Sequence, residues 1–283
     1  MGSPLGDSFR LRTQQGLDGL EKIVGDPSGA LIGLDFDGTL SPIVPDPDSA
    51  RAHPAAPGAL RLLAPRVCAV VILTGRPAAT AVEYGPFQDV PGLIVLGHYG
   101  QERWEDGEVV APPPPPGVQK VREGLPDALA RAGAPDGVWI EDKGRSLAVH
   151  TRRAADPQAA LERVSPAVHD LAERAGLIVE PGRFVLEARP AGMDKGAALR
   201  AFARERSARS VLFAGDDLGD LAAFDAIDSL RGDGIPGVKV CSGSAEVTRL
   251  AERSDLIVDG PAGVVDFLRA LAGRLPPASG SQV

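Results

Sequence analysis

Short apolar runs bounded by Gly, Pro and Asp recur along the chain at 30–35, 67–73, 93–97, 210–214, 236–241 and 255–258. Runs such as "ALIGLD" and "VCAVVIL" are nearly continuous in apolar residues instead of alternating, the pattern of strands buried on both faces of a parallel sheet. Between them lie segments of helical period: "PAAPGALRLLAPR", "RPAATAVEYGPF", "DKGAALRAFARER", "DLAAFDAIDSL", "SAEVTRLAERS" and "PAGVVDFLRALAGR". Several open with Asp or Ser, or carry Pro in the first turn, as helix starts do. The alternation predicts an α/β fold, a Rossmann-like parallel-sheet core with helices on both faces.

The alternation changes between about residues 108 and 190. After the run Pro112 to Pro116, which reads as a stiff spacer at a domain junction, come helix, strand, strand, helix, strand and strand. The segments are "VQKVREGLPDALARAG", "GVWIEDKG", "RSLAVHTR", "DPQAALERVSPAVHDLAERAG", "LIVEPG" and "RFVLEARP". This order predicts an inserted α+β cap domain at 108–189, two helices over a four-stranded antiparallel sheet, with 1–107 and 190–283 forming the core. Pro166 falls inside the second helix pattern and is expected to kink or interrupt it.

Composition narrows the classes of function. The 283 residues provide enough chain for two domains, and 43% hydrophobic with 24% charged residues is ordinary globular usage. A net charge of -8 disfavours nucleic acid or an anionic membrane as partner. The start "MGSPLGDSFR" lacks the apolar core of a signal peptide and no run is long enough to span a bilayer, so a cytoplasmic protein is expected. Cys68 and Cys241 sit in apolar runs and read as small buried hydrophobes.

Candidate chemistry gathers at the strand ends. Residues just beyond the carboxyl ends of parallel strands line the crevice where ligands bind. Asp35 and Asp37 follow the first run, Thr74, Gly75 and Arg76 the second, His98 the third, and "GDDLGD" from Gly215 to Asp220 the fourth. Lys195 opens the helix preceding that fourth strand, the positive end of the helix dipole, and so needs a negative partner. Asp-x-Asp-Gly taken alone also serves as a turn, and Asp216 and Asp217 as helix caps. An EF-hand loop is excluded because its sixth position, which must be Gly, is Leu40. Together, these residue types suit a phosphatase: a carboxylate nucleophile, a second carboxyl to protonate the leaving oxygen, hydroxyl and N–H donors for phosphoryl oxygens, and a lysine with carboxylate-bound Mg²⁺ to offset charge. Asp35 and Asp216 suffice as protein ligands, because Mg²⁺ retains several waters.

The motifs "DFDGTL", "TGR", "DKG" and "GDDLGD", in that order, resemble those of haloacid-dehalogenase-superfamily phosphatases. The resemblance implies Asp35 as nucleophile, Asp37 as general acid and then base, and Thr74 and Lys195 on the phosphate. It further implies Mg²⁺ held by Asp35, Asp216 and the backbone carbonyl of Asp37, with Asp217 or Asp220 supporting the metal shell. "WIEDKGRSLAVHTR" and "VLEARPAGMDKG" resemble the cap and return segments of trehalose-6-phosphate phosphatases. That likeness implies Glu141, Lys143 and Glu187, with Gly75 and Arg76, as substrate-binding residues.

The chain departs from this pattern at Phe36, Thr74 and Tyr99, and at Leu218, Gly219, Asp220 and Leu221 of the fourth motif. The leading expectation is hydrolysis of trehalose 6-phosphate through an aspartyl-phosphate with Mg²⁺. The alternatives are a phosphatase for another sugar phosphate, such as sucrose phosphate or a mannosyl-phosphoglycerate, and a non-catalytic sugar-phosphate sensor or partner of a trehalose-phosphate synthase. A pure binder gains nothing from two carboxylates facing a phosphate, so the intact Asp35, Asp37, Lys195 and Asp216 favour the enzyme.

Overall fold

The computed structural model describes residues 9–243 and 248–277. They divide into two compact units, one running up to Ala111 and resuming at Asp194, the other being Pro112–Met193.

The first unit is built on one sheet. Its strands are β1 (Ala30–Leu34), β2 (Ala69–Leu73), β3 (Leu93–Gly97), β4 (Glu102–Glu105), β5 (Glu108–Val110), β10 (Ser210–Gly215), β11 (Gly237–Gly243) and β12 (Leu256–Asp259). Their order is β12-β11-β10-β1-β2-β3-β4-β5, parallel throughout except for β4 and β5. The helices are α1 (Gln14–Gly25), α2 (Ala56–Leu63), α3 (Ala78–Tyr84), α6 (Lys195–Glu205), α7 (Leu221–Gly232), α8 (Thr248–Arg253) and α9 (Gly260–Arg274). Alternate strand residues feed two separate cores. Ile32, Leu34, Val70 and Ile72 pack with Leu20 of α1, Leu60 of α2 and Phe267 of α9. On the other side Leu31, Val71, Leu73 and Phe213 pack with Phe202 of α6 and Phe224 of α7. Burial on both faces explains why these strands read as unbroken apolar runs.

Two elements of this unit escaped the sequence reading. Helix α1 carries three glycines, which read as breakers, yet Gly19 packs so closely that a Cβ there would overlap the Gly237 carbonyl of β11. Thr13 caps the helix, its hydroxyl accepting from the Gly16 N–H at 3.0 Å. Strands β4 and β5 form a hairpin whose Asp106 and Gly107 both have positive φ (51° and 87°), as a two-residue turn of this kind demands. Because β4 pairs with β3, the hairpin extends the main sheet and the second unit begins after it. The first residues of the expected helix 244–254, Ser244 to Val247, lie outside the described residues.

The second unit has a four-stranded antiparallel sheet, β6 (Trp139–Asp142), β7 (Leu147–His150), β8 (Ile178–Gly182) and β9 (Val185–Arg189), in the order β6-β7-β9-β8. Helices α4 (Pro116–Arg131) and α5 (Pro157–Arg174) pack on it through Val121, Leu125, Val164 and Val168 against Leu147, Val149 and Leu186. Of the two outcomes expected at Pro166, interruption does not occur, since α5 runs through it, and Pro126 likewise lies within α4. Both prolines are exposed, so the carbonyl each leaves without a helical N–H partner can turn to water. Among the described residues no helix is long and apolar enough to cross a membrane.

Candidate active site

β1 ends at Leu34, and the next residue, Asp35, still donates its N–H to the Ala214 carbonyl of β10 at 2.9 Å. Its carboxylate is therefore fixed at the strand's carboxyl end, and it is only 4% exposed. Lys195, the first residue of α6, places Nζ 2.7 Å from Asp35 Oδ1 and 2.7 Å from Asp220 Oδ1. Asp194 caps α6 by accepting from the Ala197 N–H at 2.7 Å, which sets the position of Lys195 one residue on. Asp220 is fully buried and uses its other oxygen to accept the N–H groups of Asp216 and Asp217 at 2.8 and 3.2 Å. It thus braces both the ammonium and the turn that carries Asp216.

Asp35, Asp216 and Asp220 are buried together, each offering an oxygen within 4.8 Å of the others. Burial, with the charges of Asp220, Asp216 and Asp217, pushes Asp35 well above the usual carboxylate range against the pull of Lys195. Burial and the charges of Asp220 and Asp217 push Asp216 up to about 7. Burial alone would lower Lys195, but Asp220, Asp35 and Asp217 overcome it and hold the ammonium charged. One ammonium cannot offset this group of acids. The set is all hard oxygen and short of positive charge, which fits a divalent cation such as Mg²⁺. Asp35 and Asp216 are the residues with oxygens left to hold it, since Asp220 has both of its own engaged.

The loop after Asp35 is shaped by close approaches. Gly38 has φ +74°, and a Cβ there would overlap the Asp216 carboxylate. Its carbonyl accepts the buried Ser242 hydroxyl from the end of β11 at 2.7 Å. Sequence reasoning missed Ser242; its only signal was its place at a strand end. Asp37, two residues beyond Asp35, faces a different partner. Its Oδ2 and Oδ1 accept from Arg76 Nε at 2.8 Å and Nη2 at 2.7 Å. Arg76, expected at the substrate, is therefore joined to Asp37. The Arg76 N–H donates to Thr74 Oγ1 at 3.1 Å, so Thr74 holds this loop from below while itself almost fully buried. Gly75 lies against Tyr99, whose ring leaves no room for a side chain there. Asp217 is exposed.

In the second unit, Glu141, Ala148 and Glu187 stand in register on neighbouring strands and share the sheet face away from the unit's core. Glu187 accepts from Lys143 Nζ at 3.0 Å and from the Ser146 hydroxyl at 2.6 Å. Glu141 instead meets His150 Nε2 at 2.7 Å, and the His150 ring stacks on Trp139 at 4.5 Å.

Comparison with known proteins places these motifs in context. The sequence profile of the trehalose-phosphatase family matches residues 33–255. Trehalose-phosphate phosphatase of Mycobacterium avium is 34% identical over 260 residues, covering 87% of this chain and 63% of that protein. The Mycobacterium leprae protein of the same name is 35% identical over 257 residues, 86% and 57% of the respective chains. The chain thus spans about three-fifths of the length of the curated relatives it matches. Among solved structures, the C-terminal domain of Candida albicans trehalose-6-phosphate phosphatase has the same fold, with a TM-score of 0.71 at 22% identity, over 94% of this chain and 99% of that one. The matched span takes in the whole second unit and a large part of each half of the first, and the chain belongs to the trehalose-phosphatase family.

Proposed function

We propose that this chain hydrolyses trehalose 6-phosphate to trehalose and phosphate through an aspartyl-phosphate on Asp35. The observation that carries the reading is the buried Asp35 held 2.7 Å from Lys195, beside an Asp216 that needs a cation. An Asp35 carboxylate oxygen attacks phosphorus as the bond to the sugar oxygen breaks, and Asp37 delivers a proton to that leaving oxygen. Asp37 then takes a proton from the water that attacks phosphorus, the bond to Asp35 breaks, and phosphate and the free carboxylate result. Lys195 and Thr74 hold phosphoryl oxygens throughout, and Asp220 keeps Lys195 aimed at them. Asp35, Asp216 and the backbone carbonyl of Asp37 would hold Mg²⁺, which would supply the positive charge that lets a phosphate dianion sit among acids. Selectivity for the disaccharide rests with Glu141, Lys143 and Glu187, whose carboxylates and ammonium suit sugar hydroxyls.

Phosphate release with Mg²⁺ from trehalose 6-phosphate, sucrose 6-phosphate, glucose 6-phosphate and p-nitrophenyl phosphate tests the reading, with Asp35→Asn as blank. The expected result is a preference for trehalose 6-phosphate of about a hundredfold, roughly 3 kcal/mol of transition-state discrimination, and no turnover by the variant. Equal slow turnover of all four would remove the trehalose assignment and leave a general phosphatase. Full activity in Asp35→Asn would remove the mechanism.

A further inference from the structure

The two carboxylates of the first motif are held by different cations. Asp35 is buried on Lys195, whereas Asp37 is partly exposed and lies in the fork of Arg76, both carboxylate oxygens accepting from one guanidinium edge. The guanidinium is itself pinned, because its carbon lies 5.7 Å from the Phe36 ring and 5.3 Å from the Tyr84 ring. Arg51 lies 4.3 Å from that same Tyr84 ring, and the Arg76 backbone is tied to Thr74. Such a bidentate fork fixes the plane of a carboxylate as well as its place, which a lysine cannot do.

We propose that Arg76 is the positioning residue of Asp37. The fork sets the direction in which the Asp37 carboxyl presents its oxygens to the ester and to water. When Asp37 carries the proton for the leaving oxygen, one arm of the fork opens while the other keeps the carboxyl's orientation. This rests on the phosphatase reading above, but it assigns Arg76 to the acid–base group and not to the substrate.

Leaving-group dependence separates these roles. p-Nitrophenolate departs without needing a proton, whereas a sugar alkoxide needs one in the transition state. We compare kcat/KM for the best sugar phosphate of the panel with that for p-nitrophenyl phosphate in wild type, Arg76→Gln and Arg76→Lys. Misplacing Asp37 is expected to lower the sugar-to-aryl ratio at least about tenfold, a part of the roughly 10²–10⁴-fold that acid–base catalysis contributes. It is also expected to produce a burst of p-nitrophenolate, because breakdown of the aspartyl-phosphate still depends on Asp37. A parallel loss on both substrates, which leaves the ratio unchanged, would mean that Arg76 binds the phosphoryl group, and unchanged rates on both would mean a structural role only; either overturns the proposal. Arg76→Lys keeps the charge and most of the bulk, so if Arg76→Gln does not fold, the ratio in Arg76→Lys decides. Wild type inactive on every phosphate would sink the phosphatase reading instead, and this assignment with it.

Discussion

Asp35, Asp216 and Asp220 crowd into a buried site around one ammonium, and the surplus of negative charge is itself a prediction about pH and metal. A carboxyl raised to about 7 in the metal-free fold, as Asp216 is, keeps a proton that the unfolded chain releases at its ordinary lower value. Its contribution to stability is present below that ordinary value and is lost as pH rises through about 7. The metal-free protein is therefore expected to melt at a lower temperature at pH 8 than at pH 5.5, for this group's part, and Mg²⁺ to raise the melting temperature more at pH 8, where no proton competes. Asp216→Asn should remove most of that difference. Thermal melts in chelator and in excess Mg²⁺ at both pH values check it, and equal metal-induced shifts would refute proton–metal competition here. The candidate nucleophile, lysine and metal ligand were legible in the sequence because their types are fixed by chemistry and their places by strand ends. The Arg76–Asp37 fork was not, since nothing in "TGR" says which way the arginine turns.

At the scale of elements, the docking of α1 depends on one buried acid. Asp255 accepts from Thr13 Oγ1 at 2.5 Å, from Arg231 Nη2 at 2.5 Å and from the Lys239 N–H at 2.7 Å, while its carbonyl accepts from the Arg12 N–H at 2.7 Å. It ties the cap of α1 to β11 and to the last turn of α7 and is 1% exposed. Asp255→Ala leaves the largely buried Arg231 with Asp228 at 3.4 Å as its remaining ion-pair partner among the described residues, beside its hydrogen bonds to the Gly237 carbonyl and Gln15. Loss of one partner from a buried pair costs about 3–5 kcal/mol. At roughly 2–4 °C per kcal/mol for a chain of this size, the melting temperature should fall by about 10 °C. A fall under about 2 °C in a calorimetric scan would show that the hub contributes little. The parallel strands were readable because burial on both faces writes itself as an unbroken apolar run. Helix α1 and the β4–β5 hairpin were not: the first is rich in glycine for close packing against β11, and the second is short and polar at its turn.

For the whole molecule, the phosphatase reading divides labour between the units, with chemistry in the first and selectivity in the second. Glu187 shares the outer sheet face with Glu141 and accepts from Lys143 and Ser146, so Glu187→Ala removes one selectivity group and takes a hydrogen-bond acceptor from a second, Lys143. The expected outcome is a fall of at least about tenfold in the ratio of kcat/KM for trehalose 6-phosphate over p-nitrophenyl phosphate, a loss of transition-state contacts made by the sugar alone. An unchanged ratio would place selectivity elsewhere. What the sequence by itself determined is the alternation of elements and the residue types at strand ends, because apolar periodicity dictates burial and parallel strands bring their carboxyl ends to one edge. Pairings between distant residues belong to the tertiary structure alone. Asp37 meets Arg76 across 39 positions, and Ser242 meets Gly38 across 204. Such partners are chosen by strand order and by side-chain packing, which apolar periodicity leaves open.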